Sequence, residues 1–277
     1  MRAIPFLLAG VALAQPRFVD IHLHWSDQSE FLPKVLETYR KNKALACVSA
    51  PIGRLDRLKQ LGRENPDVIQ PFLRADLDDP EVIPQIDKAH AAGFRGVKIH
   101  SPLKNYDDPS YFPVFARAER WRMVTLLHTG VSSQPDDRVP RLKSSMARMR
   151  PMYLDTLARA FPELTIVGAH LGNPWYEEAA EAARWDPNLF FDVTGSTLIK
   201  KGDDLASFKK ILWWGPVAGA MHMPKDTPHA FEKIVFGTDN DPLEVVIDRY
   251  TKLMDACGVP AEVRKKVFSE TMLRKLQ

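Results

Sequence analysis

The chain alternates short apolar runs with longer segments in which apolar residues recur every three or four positions. The short runs are rich in Val, Ile, Leu and Phe and are separated by polar, Gly or Pro positions, a pattern that predicts buried β-strands. Eight such runs are found, at 18–25, 44–50, 68–76, 95–101, 123–130, 164–172, 189–196 and 233–240.

The longer segments have the spacing of amphipathic helices, whose apolar stripe packs on a core. They include 30–42, 53–65, 80–93, 111–121 and 152–163. Alternating strands and helices predict parallel crossovers, and eight such units in about 250 residues favour a (β/α)8 TIM barrel of the metal-dependent hydrolase type. A doubly wound open sheet is the alternative fold.

Two histidines lie one residue apart in the first predicted strand, FVDIHLHW. Side chains two apart in a strand point to the same face, so Asp20, His22 and His24 are expected to share one face. Two imidazoles on one face are able to bind one metal ion. Taken alone, a His-x-His pair in a strand is more often a chance occurrence or a hydrogen-bonded core pair than a metal site.

Three other predicted strands also end in a histidine or an aspartate. His128 ends the fifth, His170 the sixth and Asp239 the eighth. Barrel enzymes place their catalytic groups at the carboxyl ends of the strands. The coincidence of these positions with the histidine pair therefore favours a functional site over isolated core histidines.

Imidazole nitrogens and carboxylate oxygens are the ligands of ions of the zinc class. His22, His24, His128 and Asp239 supply three nitrogens and one oxygen, which leaves a position for water. Metal binding lowers the pKa of such a water from about 16 to about 7. His170, at the adjacent strand end, is placed to act as a general acid or base.

The motifs D-x-H-x-H, LLHTG, A-H-x-G and G-T-D, in this order on strands one, five, six and eight, resemble the amidohydrolase superfamily. The resemblance extends from about residue 18 to the segment VFSETMLRKL and is greatest to the amidohydrolase-related branch. That branch holds hydrolases and decarboxylases similar to aminocarboxymuconate semialdehyde decarboxylase.

The resemblance implies a distorted barrel with one divalent metal ion, and zinc is the expected ion. By position, His22, His24 and His128 match the family's metal-binding histidines. Asp239 matches the last-strand aspartate, which binds the metal and also takes a proton from the nucleophilic water. His170 matches the strand-six histidine, so Asp239 and His170 are the expected catalytic residues.

Lys98 and His100 share one face of the fourth predicted strand, so both are expected to reach the site and bind substrate. In binuclear branches of the family a strand-four lysine is carbamylated and bridges two metals. The preferred interpretation of Lys98 is that it binds a substrate carboxylate or pairs with an acid, because nothing in the sequence demands a second metal.

Two further residues are expected near the substrate. Arg74 ends the third predicted strand, and a guanidinium suits bidentate recognition of a carboxylate. A salt bridge from Arg74 to Asp76 or Asp78 is the alternative. Trp25 follows the histidine pair and is expected to line the pocket, whereas Asp192, inside the seventh predicted strand, is expected to be structural or pocket-lining.

Three functions are compatible with these residues. The first is a metal-dependent hydrolase that attacks the carbonyl carbon of an amide, lactone or ester with activated water. The second is a nonoxidative decarboxylase of an aromatic or unsaturated carboxylic acid, which uses the same ligands. The third is a noncatalytic exported binding protein; loss of a ligand would favour it, and all five expected positions are present.

The expected partner is a small-molecule substrate, and Lys98 and Arg74 suggest that it carries a carboxylate; composition and charge give no reason to expect other classes of partner. Hydrophobic residues make up 45% and charged residues 26%, which is typical of a globular protein. Lys and Arg number 38 against 35 acidic residues and form no long run, so neither nucleic acid nor a polybasic membrane surface is expected. Barrels of this branch often associate, so a homodimer is considered.

Residues 1–14 resemble a short secretory signal peptide, and 15–277 are expected to form a single barrel domain. Arg2 precedes an apolar run, and Ala12-Leu13-Ala14 has the form of a cleavage site. Export to the periplasm or the medium is the expected localisation, with the cytoplasm as the alternative. No later segment has the apolar length of a transmembrane helix.

Cys47 and Cys257 are expected to be buried free thiols. The long loops at 128–145 and 215–231 are candidate lids over the site.

Overall fold

A computed structural model describes residues 15–132, 145–202, 204–214 and 229–277. Within these ranges eight strands form one parallel sheet in sequence order, each paired with the next. They are β1 (Phe18–His24), β2 (Ala44–Pro51), β3 (Ile69–Ala75), β4 (Gly96–Ile99), β5 (Val124–Leu127), β6 (Ile166–Gly168), β7 (Leu189–Asp192) and β8 (Ile234–Val235). The predicted TIM barrel is confirmed.

Helices follow the strands and cover the outside of the barrel. They are α1 (Phe31–Asn42), α2 (Leu55–Glu64), α3 (Val82–Ala91), α4 (Phe112–Arg120), α5 (Met152–Ala160), α6 (Tyr176–Trp185), α7 (Thr197–Lys201), α8 (Phe208–Ile211), α9 (Leu243–Cys257), α10 (Ala261–Lys265) and α11 (Thr271–Lys275). A π-helical turn, Lys266–Glu270, joins α10 to α11. None of these described helices has the length and apolarity needed to cross a membrane.

The core has two parts, one outside and one inside the ring of strands. The outer part lies between strands and helices and holds most of the buried aromatic residues. The inner part fills the barrel with residues such as Ile21, Phe72 and Val124. Met272 and Leu276, at the C-terminus, pack with this inner cluster, so the last helix closes the end of the barrel opposite the strand carboxyl ends. This packing leaves the carboxyl ends free to form a site.

The first strand does not alternate regularly, which corrects the expectation that Asp20 shares a face with the histidines. The pairing register between β1 and β2 shifts between Asp20 and Leu23. Ile21 packs inside the barrel, whereas Asp20 bonds to Tyr39 on the surrounding helix α1. A bulge of this kind re-aims the side chains that follow it. Here it turns His22 toward the site, although Ile21 already faces inward.

Asp20 instead joins the first strand to the segment after β8. Its carboxylate accepts hydrogen bonds from the backbone N–H groups of His22 and Thr238, both at 3.0 Å. It also accepts from the hydroxyls of Thr238 and Tyr39. Burial raises the pKa of Asp20 above its usual value, although these four hydrogen bonds act in the opposite direction. Asp20 therefore holds the backbone of two segments that carry candidate ligands.

Tyr39→Phe is expected to lower the free energy of unfolding by about 1.5–3 kcal/mol, because it removes a hydrogen bond to a buried carboxylate. Urea denaturation followed by circular dichroism measures this change. Tyr153→Phe is the matched control. The Tyr153 hydroxyl has no hydrogen-bond partner within the described part of the chain, and a change within about 0.5 kcal/mol is expected. Equal effects of the two substitutions would contradict the assigned role of Tyr39.

Both cysteines are free thiols, as expected, but only one is fully buried. Cys47 lies inside the barrel on β2, and Cys257 is partly exposed at the end of α9. Burial raises the pKa of Cys47 well above the usual thiol range and that of Cys257 to about 11. Neither thiol is therefore activated as a nucleophile at neutral pH.

Candidate metal centre

Seven polar side chains meet at the carboxyl ends of the strands. They are His22 and His24 on β1, Lys98 on β4, His128 after β5, His170 after β6, Asp192 at the end of β7 and Asp239 after β8. Most of them line a cavity of about 1050 Å³, together with residues of the neighbouring loops. The strand ends that the sequence indicates are thus brought to one place.

Three ligand atoms form a nearly equilateral triangle. His22 Nε2 lies 3.1 Å from His24 Nε2, and Asp239 Oδ1 lies 3.5 Å from the first and 3.2 Å from the second. A tetrahedral ion with bonds of about 2.1 Å separates its ligand atoms by about 3.4 Å. The triangle therefore has the dimensions of one face of a tetrahedral metal site.

The hydrogens of the two β1 imidazoles point away from this triangle. His22 Nδ1 lies 2.9 Å from Asp192 Oδ2 and donates to that carboxylate. The Ser49 hydroxyl donates to the Leu23 carbonyl, so it accepts from His24 Nδ1 at 3.3 Å. Each Nε2 is then left with a lone pair. Two lone pairs at 3.1 Å repel each other unless a cation lies beside them. The Lys98 ammonium, 3.1 Å from His22 Nε2, offsets part of this repulsion, and the nitrogen and oxygen donors of the triangle fit a metal ion.

A second pair of imidazoles borders the triangle. His170 Nδ1 donates to the Thr194 carbonyl at 2.7 Å, and His128 Nε2 donates to the Val131 carbonyl at 3.1 Å. Their remaining nitrogens, His128 Nδ1 and His170 Nε2, face each other at 3.2 Å with one lone pair each. This pair is therefore suited to take up a proton or to complete a metal site.

His170 also belongs to a compact group of possible ligands. His22, His170 and Asp239 each offer one ligand atom, and the three atoms lie within 4.8 Å of one another. The predicted ligand His128 is not part of this group: its Nε2 donates to the Val131 carbonyl, and its Nδ1 faces His170 Nε2. His170 is thus at least as close to the triangle as His128 is.

Burial lowers the pKa of four histidines at the site. It lowers the pKa of His22 and of His128 well below the usual histidine range, and nearby positive groups lower both further. Burial is also the main cause of the lowered pKa of His24 and of His100, the latter to about 3. Because an imidazole must be neutral to bind a metal, this environment favours ligation.

The carboxylate of Asp239 is held in its charged form. Burial raises its pKa, but the close contact with His24 and the electrostatic effect of His22 and His170 lower it by more, so that it lies below the usual range. The backbone N–H of Asp239 donates to the His22 carbonyl at 2.7 Å. Asp239 is thus an anionic candidate ligand and a potential proton acceptor.

Lys98 is a completely buried cation beside the triangle. Its Nζ lies 3.1 Å from His22 Nε2, and it lines the cavity. Burial lowers its pKa to about 8, although the charges of Asp192 and Asp239 raise it. An ammonium offers three donors, and its recorded hydrogen bond uses one. Lys98 is therefore placed to donate to an anionic group in the cavity.

Asp192 is the site residue whose importance the sequence did not reveal. Besides binding His22, its carboxylate accepts from the backbone N–H groups of His170 and Thr194, both at 3.1 Å. Burial raises its pKa to about 6, against the opposing effects of His170 and Lys98. A charged residue in the apolar run LFFDV was the available signal, but the sequence gives no indication of the partners.

The remaining predicted substrate residues separate into two groups. Arg74 and His100 line the cavity, and the His100 ring lies 4.0 Å from that of His128. The structure records no ion pair for Arg74 within the ranges it describes, so the alternative salt bridge is not observed. Trp25 is not among the lining residues, because its ring packs on Phe31 and its indole donates to Asp27.

Most of the two candidate lids, 128–145 and 215–231, lies outside the described residues.

Gly195 fixes the space available to His170. Its φ is +67°, and a Cβ added to it would lie 2.7 Å from His170 Nδ1 and 3.2 Å from Asp239 Oδ2. Only a glycine fits without displacing one of these two groups.

Gly195→Ala is therefore expected to lower activity by about 10²-fold through displacement of His170. Gly202→Ala is the matched control, because Gly202 has a φ of +70° but nothing within 4 Å of an added Cβ. Both variants are expected to lose about 1–2 kcal/mol of stability, since alanine is disfavoured in the left-handed region. Thermal unfolding and steady-state kinetics on both variants measure these effects. Equal activities of the two variants would contradict the expectation.

Comparison with known proteins identifies the family to which this chain belongs. The family model for amidohydrolases matches residues 19–274, nearly the whole chain. The chain belongs to the amidohydrolase family. This confirms the resemblance inferred from the strand-end motifs. Among the curated proteins, none matches this chain significantly.

Solved structures similar to this amidohydrolase share its fold at low identity. A 2,6-dihydroxybenzoate decarboxylase is 15% identical with a TM-score of 0.63, over 95% of this chain and 99% of that one. A 5-carboxyvanillate decarboxylase from Sphingomonas paucimobilis is 13% identical with a TM-score of 0.63, over 94% and 98%. A probable 2-pyrone-4,6-dicarboxylic acid hydrolase from Acinetobacter baumannii is 13% identical with a TM-score of 0.60, over 94% and 99%. The fold thus occurs in proteins named as hydrolases and as decarboxylases.

Proposed function

We propose that this amidohydrolase is a metal-dependent hydrolase that cleaves an amide, lactone or ester bond of a small molecule. The observation that carries the proposal is the triangle of His22 Nε2, His24 Nε2 and Asp239 Oδ1, three potential ligand atoms within 3.5 Å of one another beside the buried Lys98. One divalent ion held by these atoms, with the His128–His170 pair beside it, accounts for the arrangement. Nitrogen and oxygen ligands in this geometry favour zinc.

When bound, the ion polarises the substrate carbonyl and lowers the pKa of a water molecule to about 7. Asp239 is anionic, and its Oδ2 is not part of the triangle, so this oxygen is free to accept the proton of the attacking water. His170 Nε2 carries a lone pair because Nδ1 donates to Thr194. It is the atom placed to take up the water proton released to Asp239 and to pass it to the leaving group.

The substrate is proposed to carry a carboxylate. Arg74 lines the cavity without a recorded ion pair within the described chain, and buried Lys98 has donors to spare. A carboxylate bound by Lys98 would neutralise its charge, and Arg74 would hold an anionic group farther from the metal. Arg74→Ala is then expected to raise KM about 10-fold or more for anionic substrates, with little change for neutral analogues.

A nonoxidative decarboxylase is the second candidate, and the position of Lys98 favours it. A cation 3.1 Å from a metal ligand is able to hold the reacting carboxylate itself against the metal. Two of the similar structures are named as decarboxylases of aromatic acids. The two reactions differ in whether the carboxylate at Lys98 is the reacting group or a recognition group.

One experiment separates these functions. Protein purified without chelator is assayed for metal content, for hydrolysis of a panel of lactones, esters and amides, and for carbon dioxide release from aromatic acids. Hydrolysis with about one zinc-class ion per chain supports the first proposal, whereas carbon dioxide release supports the second. Bound metal without turnover on either panel would favour a noncatalytic binding protein. A protein that contains no metal and binds none when zinc is added would contradict the proposed metal site.

Export is proposed on the basis of residues 1–14, which lie outside the described ranges. The expected cleavage follows Ala14, so the mature protein would begin at Gln15. N-terminal sequencing of protein from the periplasm or the medium tests this. An intact Met1 on exported protein would contradict it.

A further inference from the structure

Asp192 makes hydrogen bonds to two parts of the candidate site, the His22 side chain on β1 and the backbone of His170 after β6. It is completely buried at the end of β7, and each of its oxygens has a separate task. Oδ2 receives the Nδ1 hydrogen of His22 at 2.9 Å. Oδ1 receives the backbone N–H groups of His170 and Thr194, both at 3.1 Å.

The bond to His22, together with the Lys98 ammonium 3.1 Å from Nε2, determines which ring nitrogen carries the hydrogen. A carboxylate is acceptor-only, so Nδ1 must carry the hydrogen and Nε2 must carry the lone pair. Nε2 is the atom that meets His24 Nε2 and Asp239 Oδ1 in the triangle. With the opposite tautomer, a hydrogen would point into the triangle and His22 would no longer be a ligand.

The bond to His170 holds a backbone that is unfavourable by itself. His170 and Leu171 have φ values of 64° and 45°, in the left-handed region that non-glycine residues rarely adopt. Such conformations persist only where surrounding contacts hold them. The N–H of His170 donates to Asp192, so the same carboxylate fixes the start of this turn.

We infer that Asp192 is a positioning residue that sets the His22 tautomer for metal binding and holds the His170 turn against the same centre. This inference rests on the proposed metal-dependent function. Groups that orient a metal-binding histidine typically change metal affinity by about 10–100-fold when they are altered.

Asp192→Asn separates the two tasks. The amide oxygen is still able to accept from the backbone N–H groups of His170 and Thr194, but the amide nitrogen is a donor and faces His22 Nδ1. His22 is then expected to adopt the Nε2–H tautomer. Asp186→Asn is the matched control, because Asp186 is also a buried carboxylate near β7 but makes no recorded contact with the site.

Two measurements test the inference in the full chain. Titration calorimetry with zinc alone is expected to show a 10–100-fold weaker affinity for Asp192→Asn and an unchanged affinity for Asp186→Asn. Long-range ¹H–¹⁵N spectra of metal-free protein labelled with ¹⁵N-histidine report the His22 tautomer, assigned with a His22→Gln variant. Nδ1–H is expected in the wild type and Nε2–H in Asp192→Asn.

The outcomes are distinguishable. Unchanged zinc affinity in folded Asp192→Asn, or an Nε2–H tautomer in the wild type, would overturn the role of Asp192. The wild-type tautomer decides the matter even where the variant does not fold. Failure of the wild type itself to bind zinc or another divalent ion would overturn the proposed function instead.

Discussion

Asp239→Asn is expected to lower kcat/KM by about 10³-fold, the largest effect of any single substitution in the site. Asparagine preserves the size of the side chain but removes its negative charge and its capacity to accept a proton. Asp239 Oδ1 lies within 3.5 Å of both β1 imidazoles, so the change weakens a ligand as well. Steady-state kinetics, together with the metal content of the same sample, measures both losses.

Asp241→Asn provides the control for Asp239. Asp241 lies two residues farther along and is half-exposed in an ion pair with Arg249, at 2.7 Å. Its replacement is expected to leave kcat/KM within about twofold, since surface substitutions away from a site have small effects. An Asp239→Asn protein that retained metal and a tenth of the wild-type activity would contradict the role of Asp239 as proton acceptor.

The double variant His22→Ala, His24→Ala is expected to contain almost no metal, compared with about one ion per chain in the wild type. It removes two of the three atoms of the triangle. Activity should fall at least as far as in Asp239→Asn. Elemental analysis of protein purified without chelator gives the metal content, and thermal unfolding with and without added zinc shows whether the fold still binds it.

The matched control is His90→Ala, His229→Ala, which removes two histidines elsewhere. His90 stacks on Trp121 beside α3, and His229 caps the turn before β8. Added zinc should raise the melting temperature of the control as it does that of the wild type, because a ligand that binds the folded state stabilises it. A double His22, His24 variant that was stabilised equally would show that zinc binds elsewhere.

The fold could be predicted from the sequence because both of its signals are local. Strand-like runs and amphipathic segments alternate along the chain, and each is specified by residues within one element. The strand ends were less accurate. β6 ends at Gly168 and β8 at Val235, whereas the predicted runs continue through His170 and Asp239. Both residues have positive φ and lie in turns, a property that hydrophobic pattern does not reveal.

The site was predictable as a set of strand ends, but its hydrogen bonds were not. Asp192 and His22 are 170 residues apart in sequence, so their contact has no local signal. The same is true of Asn240, whose side-chain amide pairs with the backbone N–H and C=O of His24. The bulge in β1 was also missed, because strict alternation assigned Asp20 to the face of the histidines.

The gap between the first and last strands gives the candidate ligands a topological role. In the described ranges the sheet pairing runs from β1 to β8 without a ladder that joins these two edges. Isolated hydrogen bonds bridge them, between Ile21 and Phe236 and between residues 216 apart at His24 and Asn240. An ion bound by His24 and Asp239 would be a cross-link across this gap. Like a disulfide between distant residues, it would restrict the unfolded chain and fasten the two edges of the barrel.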